Sequence, residues 1–229
     1  MTLPNATARY IHLNLNLNLN LNCACCLHLF FVHRIMQEAL FQRAATLGKM
    51  ASGREQATTL YRQLLAEDPY HVNALFNLAN LLHVDPGTRE EAMVLYRRAR
   101  LVAPHDADVL YNLAWTLHMD PCGSAEAVNL YRSVLDIDPT HVKALYNLAS
   151  KRMHDVDGQQ EAEALYRHVL AVDPQHTSAM NNLANMLSEH PDRRQEALSL
   201  YRQALAIDPD DEDVRYNMDS ELAKVVAEE

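Results

Sequence analysis

Apolar residues recur along this chain at the spacing that marks one face of an α-helix. The first clear stripe comprises Leu75, Leu78, Ala79 and Leu82, and the next comprises Ala92, Leu95, Tyr96 and Ala99. Both stripes follow the order i, i+3, i+4, i+7, which lies on one side of a helix that turns about 100° per residue. The pattern therefore predicts two amphipathic helices in succession.

Turn-forming residues separate the two predicted helices. Residues 85–87 read Asp-Pro-Gly and interrupt the first helix. Thr88 and Glu91 have the spacing of a capping box, which predicts the start of the second helix. Pro104 ends that helix because its ring disfavours a helical conformation in the preceding residue. The predicted unit is a helix, a turn and a helix.

Three residue types repeat along the chain with a constant period of 35 residues. The tyrosine of a Leu-Tyr-Arg string stands at Tyr61, Tyr96, Tyr131, Tyr166 and Tyr201. A proline follows at Pro69, Pro104, Pro139, Pro174 and Pro209, and an asparagine recurs at Asn77, Asn112, Asn147, Asn182 and Asn217. One helix pair cannot bury both of its apolar stripes, so consecutive pairs are expected to stack as an all-α solenoid.

These positions resemble the tetratricopeptide repeat family, whose pattern has large apolar, Leu, small and large residues on the first helix and Ala, an aromatic and Pro on the second. The second copy matches with Leu75, Leu78, Ala79, Leu82, Ala92, Tyr96 and Pro104. Departures are Arg152, at a position for a large apolar residue, and Arg43, at the usual Leu of the leading copy. The resemblance implies a right-handed α-solenoid of helix-turn-helix repeats that binds proteins without catalysis.

The period predicts five repeats and two flanking segments. Their boundaries are 1–35 for a low-complexity segment, 36–71, 72–106, 107–141, 142–176 and 177–211 for the repeats, the first of them degenerate, and 212–229 for a capping helix and tail. In this last segment Arg215 and Asp219 replace an apolar and a small residue. We therefore expect one face of the capping helix to meet water.

The first 35 residues contain alternating Leu and Asn at 13–22 and a cysteine cluster at Cys23, Cys25 and Cys26. Four interpretations compete: a strand, a poor targeting or membrane segment, a metal or lipid attachment site, and translated simple-sequence DNA that precedes a start at Met36. We favour the last, so this segment is expected to be disordered or non-native.

Composition narrows the class of function. A formal charge of −10 opposes binding to nucleic acid, and the five glycines form no phosphate-binding loop. No convergent nucleophile or acid/base pair is found, so we expect no enzyme, no cofactor and no metal. Four cysteines in a chain of this length indicate a reducing, cytoplasmic location. We expect a neutral or basic protein or peptide partner, and no membrane contact except through residues 1–35.

The asparagine column lies about 150° from the centre of the core stripe on its helix, so it is expected to face a groove. The candidate groove residues are Asn77, Asn112, Asn147, Asn182, Asn80, Phe76, Tyr111, Tyr146, Trp115, Lys143 and Asp108. A carboxamide both donates and accepts, so each Asn can hold one peptide unit of an extended partner. The column is similar in kind to the asparagine-lined repeats of O-linked N-acetylglucosamine transferases.

Other interpretations of the groove stay open. The asparagines can instead bond to a neighbouring helix and be structural. Lys143 with Asn147 is half of the clamp with which chaperone-binding members of the family hold a terminal carboxylate. A different class of role is a self-associating assembly subunit, in which outer faces or ends form the contacts and the chain is a homo-oligomer.

Two further columns have simple structural interpretations. His71, His141 and His176 recur near the repeat junctions, where Asp106 and Asp211 stand in the other copies. We expect these side chains to cap helices or meet solvent rather than to bind a metal. The arginines that follow the repeated tyrosines, Arg62, Arg97, Arg132, Arg167 and Arg202, are expected to form local ion pairs on a solvated face.

Overall fold

The computed structural model describes residues 24–119 and 124–228, and these residues form eleven α-helices and no strand. The helices are α1 Ala24–Gly48, α2 Arg54–Glu67, α3 Val72–Leu82, α4 Arg89–Val102, α5 Ala107–His118, α6 Ser124–Ile137, α7 Val142–Arg152, α8 Gln159–Val172, α9 Thr177–Ser188, α10 Arg194–Ile207 and α11 Glu212–Glu228. The fold is all-α, as the apolar pattern predicts. None of the described helices is long and apolar enough to span a membrane.

The chain divides into two compact units, and the boundary along the sequence falls within α5, between Asn112 and Leu113. In the first unit α1 packs on α2, α2 on α3 and α3 on α4. In the second unit each helix from α6 to α10 packs on the next, and α11 packs on α10 and α9. Each unit is thus built from consecutive antiparallel helices, which is how amphipathic helix pairs bury their apolar stripes.

The core consists of the apolar positions that carry the repeat. The small residues Ala79, Ala114, Ala149 and Ala184 are completely buried. The five repeated tyrosines, Tyr61, Tyr96, Tyr131, Tyr166 and Tyr201, are also buried. Alanine lets two helices approach closely, and a tyrosine on the facing helix fills the space beside it with a large ring. These alanines and tyrosines, which repeat every 35 positions, are therefore among the side chains that each unit buries.

Side chains of the junction column cap the starts of α3, α5, α7, α9 and α11. The Nδ1 atoms of His71, His141 and His176 accept hydrogen bonds from the backbone N–H of the third residue onward at 3.1–3.2 Å. Asp106 and Asp211 accept in the same way from Val109 and Val214. These bonds satisfy amide groups that a helix start leaves without a partner. The capping interpretation of this column is confirmed.

The predicted capping box at Thr88 and Glu91 is wrong. The Thr88 hydroxyl donates to the carbonyl of Leu82 at 2.7 Å, at the end of the preceding helix, and makes no bond to the amides of α4. The carboxylate of Glu91 instead accepts from Arg62 at 2.9 Å. The capping box does not form because the short turn between α3 and α4 lets Thr88 reach back to Leu82, while Arg62 on α2 holds the carboxylate of Glu91.

Helix α1 begins at Ala24, upstream of the boundary predicted at Met36. Residues 24–35 contain no proline or glycine to break the helix, so the helical conformation continues from the first repeat towards the N-terminus. This part of α1 is exposed at Phe31 (68%) and Ile35 (62%). Residues 1–23, with the Leu-Asn alternation and Cys23, lie outside the described residues, as do the side chains of Cys25 and Cys26.

Arg152, which stands where the repeat pattern has a large apolar residue, is stabilised by ion pairs with acidic side chains. Its guanidinium donates to Glu161 at 2.7 Å and also bonds to Asp155. Burial opposes ionisation of Glu161, but its hydrogen bonds to Arg132 and Arg152 outweigh this, so the pKa of Glu161 is lowered. Helix α7 consequently ends with an ion cluster where the other repeats have an apolar contact.

The capping helix α11 has two different faces. Arg215 and Asp219 are exposed, as expected for a helix whose outer face meets water. On the inner face Glu221 is only 1% exposed and accepts hydrogen bonds from Arg194 and Lys224. Burial of Glu221 raises its pKa, but these two cations more than offset it, and the pKa is lowered overall. A buried carboxylate with two cationic partners therefore joins α11 to α10.

Candidate partner-binding surface

The asparagine column of the second unit is less open than its helical position predicts. Asn147 is only 7% exposed, so for this residue the expectation of an outward-facing side chain is wrong. Asn182 is half-buried, and its Nδ2 donates to the hydroxyls of Tyr146 at 3.1 Å and Tyr166 at 3.2 Å. The cause is the buried tyrosine on the preceding second helix, whose hydroxyl requires a polar partner.

The same arrangement occurs in the first unit. Asn77 forms a hydrogen bond with the hydroxyl of Tyr61; burial raises the pKa of Tyr61, and this bond partly opposes the rise. Asn80 accepts from the Tyr96 hydroxyl at 2.5 Å. The Nδ2 of Asn112 donates to the carbonyl of Asp108, one turn earlier on α5, at 2.9 Å. Many hydrogen-bonding groups of these asparagines are thus occupied by partners within the same unit.

Some hydrogen-bonding capacity remains on the face of α7 and α9. Because the Nδ2 of Asn182 faces two hydroxyls, its Oδ1 is turned away from them and has no partner among the residues described. Asn181 accepts from Asn217 at 3.0 Å through its Oδ1, which leaves its two N–H groups without an assigned acceptor in the described chain. This face therefore presents both an acceptor and donors.

Aromatic rings of the first helices are half-buried and cover the cap histidines. Tyr146 stacks on His176 with ring centroids 5.0 Å apart and an interplanar angle of 26°. In the first unit Phe41 stacks on His71 at 5.3 Å and 27°. Phe76 contacts the edge of Tyr96 at 6.1 Å. The sequence pattern did not predict the stacking, although each stacked ring precedes its histidine by 30 residues.

A second aromatic cluster surrounds His118 in the second unit. Its ring lies 5.7 Å from that of Trp115 and 6.2 Å from that of Tyr131. Burial, together with the nearby charge of Lys151, lowers the pKa of His118 to about 4. The Nζ of Lys151 donates to the backbone carbonyl of His118 at 3.2 Å. His118 is therefore neutral at pH 7, and Trp115 is half-buried beside it.

Charged groups on the candidate surface differ in their exposure and partners. Asp108 and Lys143 are exposed, and Lys143 has no ion-pair partner in the described part of the chain. On the second helices, Arg62, Arg132 and Arg167 pair with Glu91, Glu161 and Glu196, each 29 residues further along. For these three arginines the interpretation as local ion pairs is confirmed.

Tyr111, a further candidate groove residue, is half-buried and has contacts of its own.

Sequence reasoning missed a cavity of about 420 Å³ in the second unit. It lies where α7 and α9 end, and Met153, Met186, Glu189 and Arg193 are among the residues that line it. The available signal was a change within the period, because Met186 stands where Lys151 stands one repeat earlier. The asparagine column gives no indication of it.

Comparisons with known proteins agree with this architecture. Residues 160–212 match the family model described as Tetratricopeptide repeat. The crystal structure of MamA superposes with a TM-score of 0.62 at 18% identity, covering 69% of this chain and 90% of that one. The structure of YrrB, described as a TPR protein with an unusual peptide-binding site, has a TM-score of 0.66 at 19% identity and covers 78% and 89%.

A third similar structure is TTC0263, a thermophilic TPR protein of Thermus thermophilus. Its TM-score is 0.55 at 19% identity, covering 82% of this chain and 99% of that one. No curated protein matches the sequence. At 18–19% identity, the likeness to these solved structures concerns the fold alone. Residues 160–212 are the part of the sequence that also matches the family model.

Proposed function

We propose that this chain, a tetratricopeptide-repeat protein, is a non-catalytic interaction module that binds an extended segment of a partner along the face of its first helices. In the second unit the proposed contacts are the Oδ1 of Asn182, the hydroxyl of Tyr146, the amide of Asn181 and the ammonium of Lys143. The single observation that carries the proposal is that Asn182 keeps a partner-free acceptor on a half-exposed face.

The hydrogen-bonding pattern suits a peptide backbone. An extended peptide presents an N–H and a C=O at each residue, and burying either without a partner is costly. The Oδ1 of Asn182 accepts from an N–H, while Asn181 donates to a C=O. Tyr146 supplies ring area beside them, which binds without demanding particular side chains. In the first unit, Asp108, Phe76 and Tyr111 are the corresponding proposed contacts.

The likeness to YrrB supports this choice of partner. That protein is described as having an unusual peptide-binding site. Since the identity is only 19%, the likeness supports the class of ligand and not the individual residues. Charge adds a preference: from Met36 onward the chain carries 18 basic and 30 acidic residues, a net charge of −12. A neutral or basic segment is therefore the proposed partner.

A library of random displayed peptides selected on the full chain tests the proposal. Dissociation constants of the selected peptides are then measured for the double variant Lys143→Ala and Asn182→Ala. We expect binding to weaken about tenfold, since one hydrogen bond and one exposed charge contact are removed.

The control is the double change Ser199→Ala and Arg202→Ala, which alters exposed residues on the second helix α10. These positions are not on the proposed face, so affinity should stay within a factor of two. Equal loss in both variants, or none in either, would refute binding on the first-helix face, provided that circular dichroism shows both variants folded.

Self-association is the second candidate, and exposed apolar residues of α1 favour it. Phe31, Ile35 and Met36 are exposed on a helix whose first acidic residue is Glu38. In a chain of net charge −10, this is a segment where two copies can meet without acidic repulsion. Sedimentation of Phe31→Glu with Ile35→Glu tests it: a dimer of the parent chain should become a monomer, and a monomeric parent chain removes this candidate.

A further inference from the structure

The cavity at the ends of α7 and α9 is lined by two methionines, by polar side chains and by the carboxylates of Glu163 and Glu189. Met153 and Met186 are half-buried and line it with flexible thioether side chains. The carboxylate of Glu189 is exposed at its edge. Its volume of about 420 Å³ falls within the range of pockets that hold small ligands, about 300–1,000 Å³. A long side chain with an apolar stem and a charged head suits such a site.

The preceding repeat contains a side chain of this kind at the corresponding place. One period before Met186 stands Lys151, and one period before Met153 stands His118. The ammonium of Lys151 donates to the backbone carbonyl of His118 at 3.2 Å, at the end of α5. A lysine of the chain itself therefore occupies that junction, and its head group bonds to the last carbonyl of α5.

The charges around the cavity favour a cation. Arg193 donates to both oxygens of Glu163, at 2.7 and 2.8 Å, so these two charges neutralise each other. The pKa of Glu163 is lowered to about 2, chiefly by the hydrogen bond from Arg193. Glu189 has no such partner among the described residues. An anion would meet this free carboxylate, whereas an ammonium group would pair with it.

We propose that this cavity receives a lysine side chain of the bound partner, in the position that Lys151 occupies one repeat earlier. The methylene stem lies along Met153 and Met186, and the ammonium group faces Glu189 and the carbonyl of Met153. The inference rests on the proposed partner-binding function and adds to it a fixed anchor of stated chemistry. It also gives a molecular reason for the preference for basic partners.

The first test uses a capped peptide, acetyl-Ala-Ala-Lys-Ala-Ala-amide, and the same peptide with norleucine in place of lysine. The full chain is labelled with ¹³C in its methionine methyl groups and titrated with each peptide by NMR. We expect the lysine peptide to shift the Met153 and Met186 signals, and the norleucine peptide to bind at least about fivefold more weakly, because it lacks the charge.

Variants separate the cavity from the rest of the surface. Met186→Lys inserts the lysine of the preceding repeat, so it should abolish the shift of Met153 while the protein stays folded. Glu189→Gln should weaken binding about fivefold, and Glu90→Gln, an exposed carboxylate that does not line the cavity, should leave it unchanged. Equal binding of the two peptides, or an unaltered titration in Met186→Lys, would overturn the proposal.

The two proposals fail in different ways. If library peptides bind the first-helix face but show no preference for lysine and leave Met186 unshifted, the partner-binding function stands and the lysine site is refuted. If the lysine peptide shifts Met186 while Lys143→Ala with Asn182→Ala binds the selected peptides unchanged, the site stands and the proposed face is refuted.

Discussion

The tyrosine hydroxyls are the polar points on which the repeated side chains converge. In the second unit the hydroxyl of Tyr166 contacts Ser150 at 3.0 Å, Asn182 at 3.2 Å and the sulfur of Met153 at 3.4 Å. Burial raises the pKa of Tyr166, so its proton remains on the hydroxyl throughout the neutral range. The hydroxyl of Tyr166 thus links side chains of α7 and α9 to α8, in addition to the apolar area that its ring buries.

We expect Tyr166→Phe to lower the free energy of unfolding by about 1–2 kcal/mol, since the half-buried Ser150 loses its hydrogen bond to the phenol and Asn182 keeps only its bond to Tyr146. Urea unfolding measures the change. Tyr216→Phe is the matched control, because Tyr216 is 75% exposed and its loss of a hydroxyl should change stability by less than about 0.5 kcal/mol. A similar loss from both substitutions would argue against the buried network.

His118 makes stability depend on pH in the acidic range. Its pKa of about 4 in the folded chain lies below the ordinary histidine value of 6.5, so the unfolded chain binds more protons between these values. Stability should therefore fall as pH drops from about 6.5 to 4. The lowered pKa of Glu163, about 2, acts at lower pH, where protonation below its usual 4.5 removes stability.

Substituting His118 by Phe keeps the ring but removes this titration. Urea midpoints measured between pH 7 and 4.5 should decline less steeply for His118→Phe than for the parent chain. His105→Gln changes an exposed histidine and serves as the control. An unchanged slope in His118→Phe would contradict the assignment of the pH dependence to this ring.

At the scale of helices, the sequence predicts most of the fold because the period repeats local signals. Apolar spacing places the helix pairs, and His or Asp at the junction column places their starts. The errors come from hydrogen bonds that a helix makes outside itself, either across a turn or to a helix further along the chain. Thr88 reaches Leu82, and the half-buried Asn182 reaches Tyr146 and Tyr166. Helical angle alone cannot indicate these bonds, because it describes one helix and not its neighbours.

The cap positions carry His in some repeats and Asp in others, and this natural variation suggests a test. His141→Ala removes the acceptor for the amide of Ala144 and should cost about 1 kcal/mol, which lowers Tm by a few degrees. His141→Asp should retain most of the stability, because Asp106 and Asp211 cap other helices in the same way. If Asp is as damaging as Ala, the cap is not the reason for the residue.

For the whole molecule, the constant period predicts that complete repeats are interchangeable. Deleting residues 142–176 brings Glu196 to the same 29-residue spacing from Arg132 that Glu161 holds in the parent chain. We expect this chain to keep its helical content per residue, with a lower Tm because one set of helix contacts is lost. Circular dichroism during heating measures both.

Deletion of residues 142–167, which ends inside α8, is the control for this experiment. It breaks the period and leaves a partial helix without its partner, so unfolding or aggregation is expected. If both deletions behave alike, the helix pairs do not act as exchangeable units.

The difference between Lys151 and Met186 also has a genetic meaning. The codon for methionine, ATG, and the lysine codon AAG differ in one base, so a single point mutation is enough to exchange the residue found at Lys151 for the one found at Met186. The helices on either side keep their apolar stripes and caps through such a change. If the proposed lysine site binds as expected, a duplicated repeat can acquire or lose that specificity through one substitution while the apolar stripes of its helices stay intact.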